Sequence, residues 1–319
     1  MSVLKNLVRN LPGIKELVDA RNRLYSELSA MRQELSTLSG SQNNKLLFPP
    51  GHYYSPIPSL TYIEQHDSDI FAEPAKAIPG IDLREKEQLE LLRSFKPYYD
   101  ELPFPASKTD KLRYYYENPS YSYSDAIFLY SMIRHARPKR IIEVGSGYSS
   151  CVTLDTNELF FNNSIDVTFI EPSPDLLLSL IKETDKQRVS LIQSNLQEVD
   201  IEVFAALGAC DILFVDSTHV SKVYSDVNRI FFEIMPKLAP GVLVHFHDIF
   251  YPFEYPREWV YENRAWNELY LLRGFLQYNS SFRIILFNTF LEYFFRDYFG
   301  ANMPLCLRNP GGSIWIQKG

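Results

Sequence analysis

The 319-residue chain has little of what marks several classes of protein. Its three cysteines, Cys151, Cys210 and Cys306, form no CxxC pair, which excludes a disulfide scaffold or zinc ribbon and predicts a cytoplasmic location. No stretch approaches the roughly 18 consecutive apolar residues of a membrane span. The first ten residues carry Lys5 and Arg9 but no apolar h-region, so no secretory signal is expected. The formal net charge of −7 argues against a nucleic-acid partner, because such proteins usually present a basic surface.

What the sequence has in excess is aromatic side chains, with 21 Tyr, 22 Phe and 3 Trp. Hydrophobic residues make up 45% and charged residues 22%, as in ordinary globular proteins. The aromatic residues are concentrated in 48–130 and 246–299, whereas the region between them, 131–245, holds only nine. Because aromatic faces pack well against sugar rings and apolar ligands, the two flanking regions are expected to contribute the wall of a ligand site.

Residues 1–40 predict a coiled-coil helix. Apolar residues recur at alternating steps of three and four, which is the a/d spacing of such helices. These positions are Ile14, Leu17, Leu24, Leu28, Met31, Leu35 and Leu38, with Arg21 as the polar interruption. The pattern favours a homo-oligomer joined through this helix, and a helix packed along its own domain is the alternative. Residues 41–120 are expected to form a linker, a proline-rich strap and a helical cap, with a helix from Ile81 to Phe95 capped by Asp82.

Residues 121–319 predict one α/β domain. Short β-rich runs alternate with helical stretches, a pattern typical of a parallel sheet covered on both faces. Five runs, at 140–144, 166–171, 188–193, 211–216 and 241–247, precede two terminal strands at 282–288 and 313–317. A helix is expected at 221–236, between the fourth and fifth strands. The expected fold is therefore a Rossmann-like, seven-stranded and mostly parallel sheet with a terminal antiparallel strand.

The carboxyl ends of these strands should bind the ligand, as in other open α/β sheets. Strand 1 ends at Glu143 and continues into Gly145-Ser146-Gly147, a turn that can present backbone N–H groups to a ligand. Glu171, at the end of strand 2, can accept both hydroxyls of a ribose. Asn195, after strand 3, carries an amide suited to the edge of an adenine.

This arrangement resembles the class I S-adenosylmethionine-dependent methyltransferases, whose first motif, D/E-x-G-x-G, is matched by Glu143, Gly145 and Gly147. The resemblance implies the seven-stranded methyltransferase sheet and S-adenosylmethionine as cofactor. The donor-binding residues that it implies are Glu143, Gly145, Ser146, Gly147, Glu171, Asn195 and Asp216. A nicotinamide dinucleotide is the alternative cofactor, but its G-x-G-x-x-G motif would need a glycine where Ser150 stands.

Longer segments look like a bacterial subgroup of these methyltransferases, whose genes often lie among those for glycosyltransferases and surface polysaccharides. These segments are FPPGHYYSPIPS, IPGIDLREKEQLELL, RIIEVGSGYSS, VDSTHVSKVYSDVN and HFHDIFYPFEYP. The resemblance implies an O-methyltransferase of polysaccharide biosynthesis that acts on a hydroxyl of a sugar or glycan intermediate. Two alternatives stay open: a small-molecule O-methyltransferase with a polyketide or phenolic acceptor, and a non-catalytic partner of a glycosyltransferase complex.

The ends of strands 4 and 5 supply the expected catalytic residues. Asp216 and Asp248 follow neighbouring strands, so they should converge to position the acceptor, and they could hold a divalent cation such as Mg²⁺. His219, three residues after Asp216 and expected at the opening of a helix, is interpreted as the general base. His247 is expected to act at the same edge, whereas His245 is interpreted as a core histidine that is hydrogen-bonded within the sheet. The layout is similar to that of metal-dependent catechol-type and macrolide-sugar O-methyltransferases.

Further residues are candidates for contact with the acceptor. They are His52, Tyr53, Tyr54, Lys222 and Tyr251. The first three lie in the proline-rich strap, which could clamp the donor or acceptor or could simply pack on the domain as a stiff segment. Lys222 and Asp226 are expected on one face of the helix that follows His219. Tyr251 belongs to a long aromatic loop, 249–263, that is expected to form a substrate wall or lid.

Overall fold

A computed structural model describes residues 47–319, together with residues 20, 21, 23–25, 27–29 and 31. The chain divides into two compact units, Met1–Ser59 and Leu60–Gly319. In the first unit, Leu24, Leu28 and Met31 are exposed residues of a helix. The other predicted coiled-coil positions lie outside the described residues, namely Ile14, Leu17, Leu35 and Leu38. The coiled coil therefore stays a prediction.

The second unit, Leu60–Gly319, is built around a sheet of seven strands. The strands are β1 Arg140–Val144, β2 Asp166–Ile170, β3 Ser190–Ile192, β4 Ile212–Val215, β5 Leu243–His247, β6 Phe282–Phe287 and β7 Ser313–Lys318. Their spatial order is β3-β2-β1-β4-β5-β7-β6. The pairs within β1 to β5 are parallel, whereas β7 is antiparallel to both β5 and β6. The predicted Rossmann-like, seven-stranded and mostly parallel sheet is confirmed.

Helices precede and separate these strands. The α-helices of this unit are α1 Leu60–Gln65, α2 Asp67–Ile70, α3 Glu85–Ser94, α4 Lys96–Asp100, α5 Ser124–Ala136, α6 Tyr148–Phe161, α7 Asp175–Leu180, α8 Glu202–Ala205, α9 Asp226–Arg229, α10 Met235–Lys237, α11 Arg257–Tyr261, α12 Glu268–Leu276, α13 Asn288–Phe294 and α14 Arg296–Asn302. A π-helix spans Ile230–Ile234, and 3₁₀ turns span Asp185–Gln187, Leu196–Glu198 and Pro304–Leu307. β4 and β5 are buried along their whole length, as expected for parallel strands covered on both faces. In the part of the chain that is described, no helix combines the length and the apolar character needed to cross a membrane.

Much of the aromatic excess forms the core of this unit. Fully buried rings from the two flanking regions include Tyr114, Phe128, Tyr130, Phe287 and Phe290. Several of them pack edge to face, a favourable arrangement for aromatic pairs; the rings of Phe104 and Tyr114, for example, have centroids 4.9 Å apart. These residues therefore stabilise the fold and are not available to a ligand.

Two helices begin later than the sequence predicts. α3 begins at Glu85 rather than near Ile81, because Asp82 accepts the backbone N–H of Arg84 (3.0 Å) outside the helix and does not cap it. The helix expected at 221–236 begins at Asp226, where the Ser225 hydroxyl accepts the backbone N–H of Asn228. The predictions that His219 opens this helix and that Lys222 shares a helical face with Asp226 are therefore wrong. His219 and Lys222 lie in the preceding loop.

Candidate active site

The turn after β1 is shaped by Gly145, whose φ is +81°. A Cβ atom at this position would overlap the carbonyl oxygen of Asp216, just beyond β4, so the contact requires glycine. Asp216 in turn donates its backbone N–H to the carbonyl of Val144 (2.9 Å). The turn after β1 and the acid after β4 are therefore held in main-chain contact.

Glu143 lies behind this turn and does not line the cleft in front of it. Its Oε1 accepts hydrogen bonds from the hydroxyls of Ser149 (2.6 Å) and Ser150 (2.8 Å), at the start of α6. Burial raises the pKa of Glu143 to about 8, and its Oε2 has no hydrogen-bond partner among the described residues. Gly147 donates its N–H to the Ser150 hydroxyl (3.1 Å). The expected contact between Glu143 and a ligand stays a prediction; in the structure this acid holds the first turn of α6 in position.

A cleft of about 280 Å³ lies at the carboxyl ends of β1, β2 and β4. The structure brings together four of the predicted ligand-binding residues on its wall: Gly145, Glu171, Asn195 and Asp216. The carboxylate of Glu171 accepts the backbone N–H groups of Ser146 (3.2 Å) and Ser173 (2.8 Å), which fixes it beside the glycine turn. Ser217 also lines the cleft, and its hydroxyl is buried with no partner among the described residues. These polar groups suit a ligand that carries hydroxyl and amine functions.

Asp226 also lines this cleft, and it has a structural role that its position in the sequence did not indicate. It accepts hydrogen bonds from the backbone N–H of Thr218 (2.9 Å) and from the Thr218 hydroxyl (2.6 Å). These bonds fold the loop after β4 back onto the first residue of α9. An acid in the first turn of a helix is usually explained by the helix dipole, so nothing in the sequence pointed to this contact.

Three side chains after β4 and β5 converge, and we call Asp216, His219 and Asp248 the acid–histidine cluster. Nε2 of His219 lies 3.3 Å from Oδ1 of Asp216 and 3.5 Å from Oδ2 of Asp248. One potential ligand atom from each residue lies within 4.8 Å of the other two. His219 and Asp248 have φ of +59° and +57°, a backbone conformation that few residues other than glycine adopt. The predicted convergence of the two acids is thus seen in the structure, with His219 between them.

The charges of the cluster depend on one another. Burial opposes ionisation of Asp216, but the facing imidazoles of His247 and His219 outweigh it and hold the pKa of Asp216 well below its usual range. Burial alone would lower the pKa of His219, but its hydrogen bonds to Asp216 and Glu268 raise that pKa to about 10. Burial raises the pKa of Asp248. Without a bound cation, His219 is therefore protonated at neutral pH.

His247 approaches the same acids from β5. Its Nδ1 lies 3.3 Å from Oδ1 of Asp216 and 3.5 Å from Oδ1 of Asp248. Its Nε2 lies 3.5 Å from Oδ2 of Asp125, a buried acid in the first turn of α5. Burial would lower the pKa of His247, but Asp248 and Asp216 raise it. The sequence did not reveal Asp125, because an acid at this position also resembles an ordinary helix-start residue.

Glu268 is a second residue that the sequence did not reveal. It lies in the first turn of α12, is 1% exposed, and its Oε2 is 2.8 Å from Nδ1 of His219. The indole of Trp266 lies against the same imidazole, with ring centroids 4.4 Å apart. Trp266 falls in the aromatic-rich region 246–299, which was a usable signal, whereas nothing in the sequence linked Glu268 to a position 49 residues earlier.

His245 lies in the core, but the predicted hydrogen bond within the sheet is wrong. Neither ring nitrogen has a hydrogen-bond partner among the described residues. The ring instead stacks on Phe214 (centroids 4.2 Å apart) and packs against Trp315 (4.6 Å). Burial lowers the pKa of His245, which keeps the imidazole neutral inside the sheet layer.

Comparison with known proteins identifies the domain that carries this site. Residues 142–249 match the family model Methyltransf_24, described as a methyltransferase domain. A protein of Archaeoglobus fulgidus, described only as uncharacterized, is 36% identical over 165 residues, which make up 50% of this chain and 74% of the archaeal one. Residues 142–249 of this chain are therefore a methyltransferase domain. The matched domain begins in β1, contains the glycine turn and the cleft, and ends just after Asp248.

The methyltransferase is also similar to solved structures of low sequence identity. The SAH-bound Podospora anserina methyltransferase PaMTH1 is 15% identical, and the match covers 87% of this chain and 100% of that one, with a TM-score of 0.41. The O-methyltransferase TomG from Streptomyces achromogenes, solved with SAM, is 13% identical, with 81% and 96% covered and a TM-score of 0.39.

The candidate acceptor residues of the methyltransferase are spread over both units. In the first unit, Tyr53 and Tyr54 are strongly exposed, and the His52 ring accepts the backbone N–H of Tyr54 (3.1 Å). Lys222 is an exposed residue of the loop after β4. Tyr251 is half-buried: its ring packs on a cluster of phenylalanines that includes Phe290, and its hydroxyl donates to a backbone carbonyl of the segment between α2 and α3.

Proposed function

We propose that this methyltransferase transfers the methyl group of S-adenosylmethionine to a hydroxyl oxygen of a sugar or glycan intermediate. The observation that carries this proposal is the double position of Asp216. This residue lines the donor cleft, and its carboxylate also belongs to the acid–histidine cluster. A donor in the cleft and a hydroxyl at the cluster would therefore lie side by side, which direct transfer requires.

The residues of the cleft fit the proposed donor. Glu171 would bind the ribose hydroxyls and Asn195 the adenine edge, while the glycine turn lets the methionine portion approach the main chain. The unpartnered hydroxyl of Ser217 is a further polar group for the donor. The donor supplies an activated methyl group on a sulfonium, so the protein has to align the acceptor and help it to lose its proton.

The acid–histidine cluster also fits a divalent cation. Two carboxylates suit Mg²⁺, and an imidazole donor extends the choice to Mn²⁺, Fe²⁺ or Zn²⁺. The other nitrogen of His219 is held by a buried carboxylate, the arrangement usual for histidines that bind metals. A cation held by Asp216, His219 and Asp248 would lower the pKa of an acceptor hydroxyl bound to it.

His219 has two possible roles at this position, general base or cation ligand, and we propose the second. Its Nε2 faces two carboxylates, and its hydrogen bonds to Asp216 and Glu268 keep the imidazole protonated as long as no cation is bound. A protonated imidazole cannot accept the proton of the acceptor. A cation would offset the negative charge of the carboxylates, so that Nε2 could lose its proton and donate its lone pair to the cation. The ligand atoms of Asp216, His219 and Asp248 lie close enough together to bind one cation.

The surroundings of the cluster support a sugar acceptor. Trp266 packs against His219 at a tilt and meets Trp259 edge to face, with indole centroids 5.4 Å apart. Tyr255 packs against the same Trp266 (6.2 Å). Aromatic faces of this kind pack well against sugar rings, and the resemblance to polysaccharide-associated enzymes points in the same direction. His52, Tyr53, Tyr54, Lys222 and Tyr251 remain candidates for further contacts with the acceptor.

Transfer of labelled methyl groups tests the acceptor class. The full chain is incubated with labelled S-adenosylmethionine and a panel of nucleotide sugars, glycan fragments and catechol-type phenols, and the products are digested to locate the label. Label on a sugar oxygen supports the proposal. Label only on phenols, with tight calorimetric binding of S-adenosylhomocysteine, would replace it with the small-molecule alternative.

The assembly is a separate part of the proposal. We infer that residues 1–40 join copies of the chain through a coiled coil, an inference supported by the exposed positions Leu24, Leu28 and Met31. Light scattering of the full chain and of a chain lacking residues 1–40 tests it. The deletion should give a smaller assembly that still binds S-adenosylhomocysteine. An unchanged mass would contradict the coiled coil, and loss of function without loss of donor binding would favour the scaffold alternative.

A further inference from the structure

His219 is held in place by the segment 266–268. Its carbonyl oxygen accepts the backbone N–H groups of Asn267 and Glu268, both at 3.1 Å. Nδ1 of its ring lies 2.8 Å from Oε2 of Glu268, and Trp266 covers one face of the ring. The direction of Nε2 is therefore set by contacts on the far side of the imidazole.

The carboxylate of Glu268 is in an unusual environment for a residue with only a structural role. It is 1% exposed, and Oε1 has no partner among the described residues. Among these residues, its side-chain hydrogen bond is to His219. Burying a carboxylate is costly unless it is well paired, so an apolar residue would suit this core position better if the fold alone mattered.

We propose that Glu268 is a positioning residue, which keeps the proton of His219 on Nδ1 and so directs the lone pair of Nε2 toward Asp216 and Asp248. A neutral imidazole carries one proton, and a hydrogen bond to a carboxylate determines which nitrogen holds it. Without Glu268 the proton could move to Nε2, which could then no longer bind a cation. The inference rests on the proposed function, in which the acid–histidine cluster holds the cation.

Calorimetric titration of Mn²⁺ into the full chain is the first test. Glu268→Ala should bind Mn²⁺ about 10- to 100-fold more weakly than wild type, the usual effect of removing a carboxylate that supports a metal-binding histidine. Glu268→Gln should lose less, because its amide oxygen can still accept the Nδ1 proton. Glu183→Ala, which removes a well exposed acid, is the matched control and should bind as wild type does. Equal Mn²⁺ affinity in folded Glu268→Ala and wild type overturns the proposal.

The tautomer itself is the second test, and a purely structural role would not change it. Nitrogen NMR of the metal-free protein, at a pH high enough for His219 to be neutral, reports which nitrogen of each histidine is protonated, and His219→Gln assigns the signal. Wild type should show the proton on Nδ1. If Glu268→Ala does not fold, Glu268→Gln decides, since an amide can accept from or donate to Nδ1 and should allow both tautomers. A single Nδ1-protonated form in every folded Glu268 variant overturns the proposal.

Failure of the proposed function would be recognisable separately. If wild type takes up no Mn²⁺, the cation part of that function is wrong, whatever Glu268 does. The role of Glu268 is then decided on the metal-free protein, through the downfield proton signal of the Nδ1–H of His219. Loss of this signal in the Glu268 variants supports the positioning role, and an unchanged signal overturns it.

Discussion

Asp125, in the first turn of α5, lies 3.5 Å from His247, at the end of β5. The same carboxylate accepts hydrogen bonds from the side chain of Asn288 (2.8 Å), the hydroxyl of Ser313 (2.7 Å) and the backbone N–H of Gly312 (3.0 Å). One buried acid thus joins α5, α13 and the start of β7 to the histidine that faces the acid–histidine cluster.

Replacing Asp125 should therefore destabilise the fold. Asp125→Ala leaves several buried donors without an acceptor and should lower the free energy of unfolding by about 2–4 kcal/mol. Urea denaturation followed by circular dichroism measures the change. Asp110→Ala, at an exposed loop position, is the control and should stay within about 0.5 kcal/mol of wild type. A similar small change for Asp125→Ala would show that the network contributes little.

Removal of divalent cations should stop methyl transfer. Treatment with a chelator should lower the rate more than about 10-fold, and added Mn²⁺ or Mg²⁺ should restore it, because without a cation Asp216 and Glu268 keep His219 protonated. His219→Ala should lose Mn²⁺ affinity and turnover but bind S-adenosylhomocysteine within about 2-fold of wild type. Turnover that is insensitive to chelation would instead restore the general-base interpretation of His219.

Gly145→Ala should weaken both the fold and donor binding. The new Cβ would overlap the Asp216 carbonyl, and alanine disfavours a φ of +81°, so a loss of at least about 2 kcal/mol in unfolding free energy is expected. S-adenosylhomocysteine affinity should fall with it in calorimetry. Gly300→Ala is the matched control, because it lies in α14 with no atom within 4 Å of the added carbon and should be neutral or slightly stabilising.

Glu143 should make stability depend on pH. Its pKa is raised by burial to about 8 in the folded chain, against 4.5 when exposed, so its contribution is fully present below pH 4.5 and is lost as the pH rises through 8. Glu143→Gln removes this dependence. Its unfolding free energy relative to wild type should therefore rise by more than about 1 kcal/mol between pH 5 and pH 8.

Urea denaturation at both pH values measures this difference. Glu233→Gln is the control, since this acid is largely exposed and pairs with Arg229 at the surface. Its unfolding free energy should stay within about 0.5 kcal/mol of wild type, as expected for a surface substitution. A parallel pH dependence in wild type and Glu143→Gln would mean that Glu143 is ionised in the folded protein.

The parts of the site that the sequence predicted depend on local patterns. Apolar runs identified the strands, and the ends of parallel strands necessarily share one edge of the sheet, so the meeting of Asp216 and Asp248 followed. The cleft residues Glu171 and Asn195 were found by the same argument.

The parts that it missed depend on packing between distant segments. Asp125 and Glu268 each sit in the first turn of a helix, where an acid is common for local reasons, and only the tertiary fold turns them toward His247 and His219. The loop after β4 was predicted as helix from residue 221 onward, because its residue types are compatible with a helix. Hydrogen bonds from Thr218 to Asp226, and between Ser221 and the side chain of Asn267, hold it in another conformation.

The double position of Asp216 has a thermodynamic consequence. Since one residue borders both the donor cleft and the acid–histidine cluster, a ligand at either place changes the electrostatic field at the other. Linkage then requires that if a cation alters the affinity for the donor by some factor, the donor alters the affinity for the cation by the same factor. The proposed cation and donor should therefore not bind independently, and the apparent affinity of each should depend on whether the other is present.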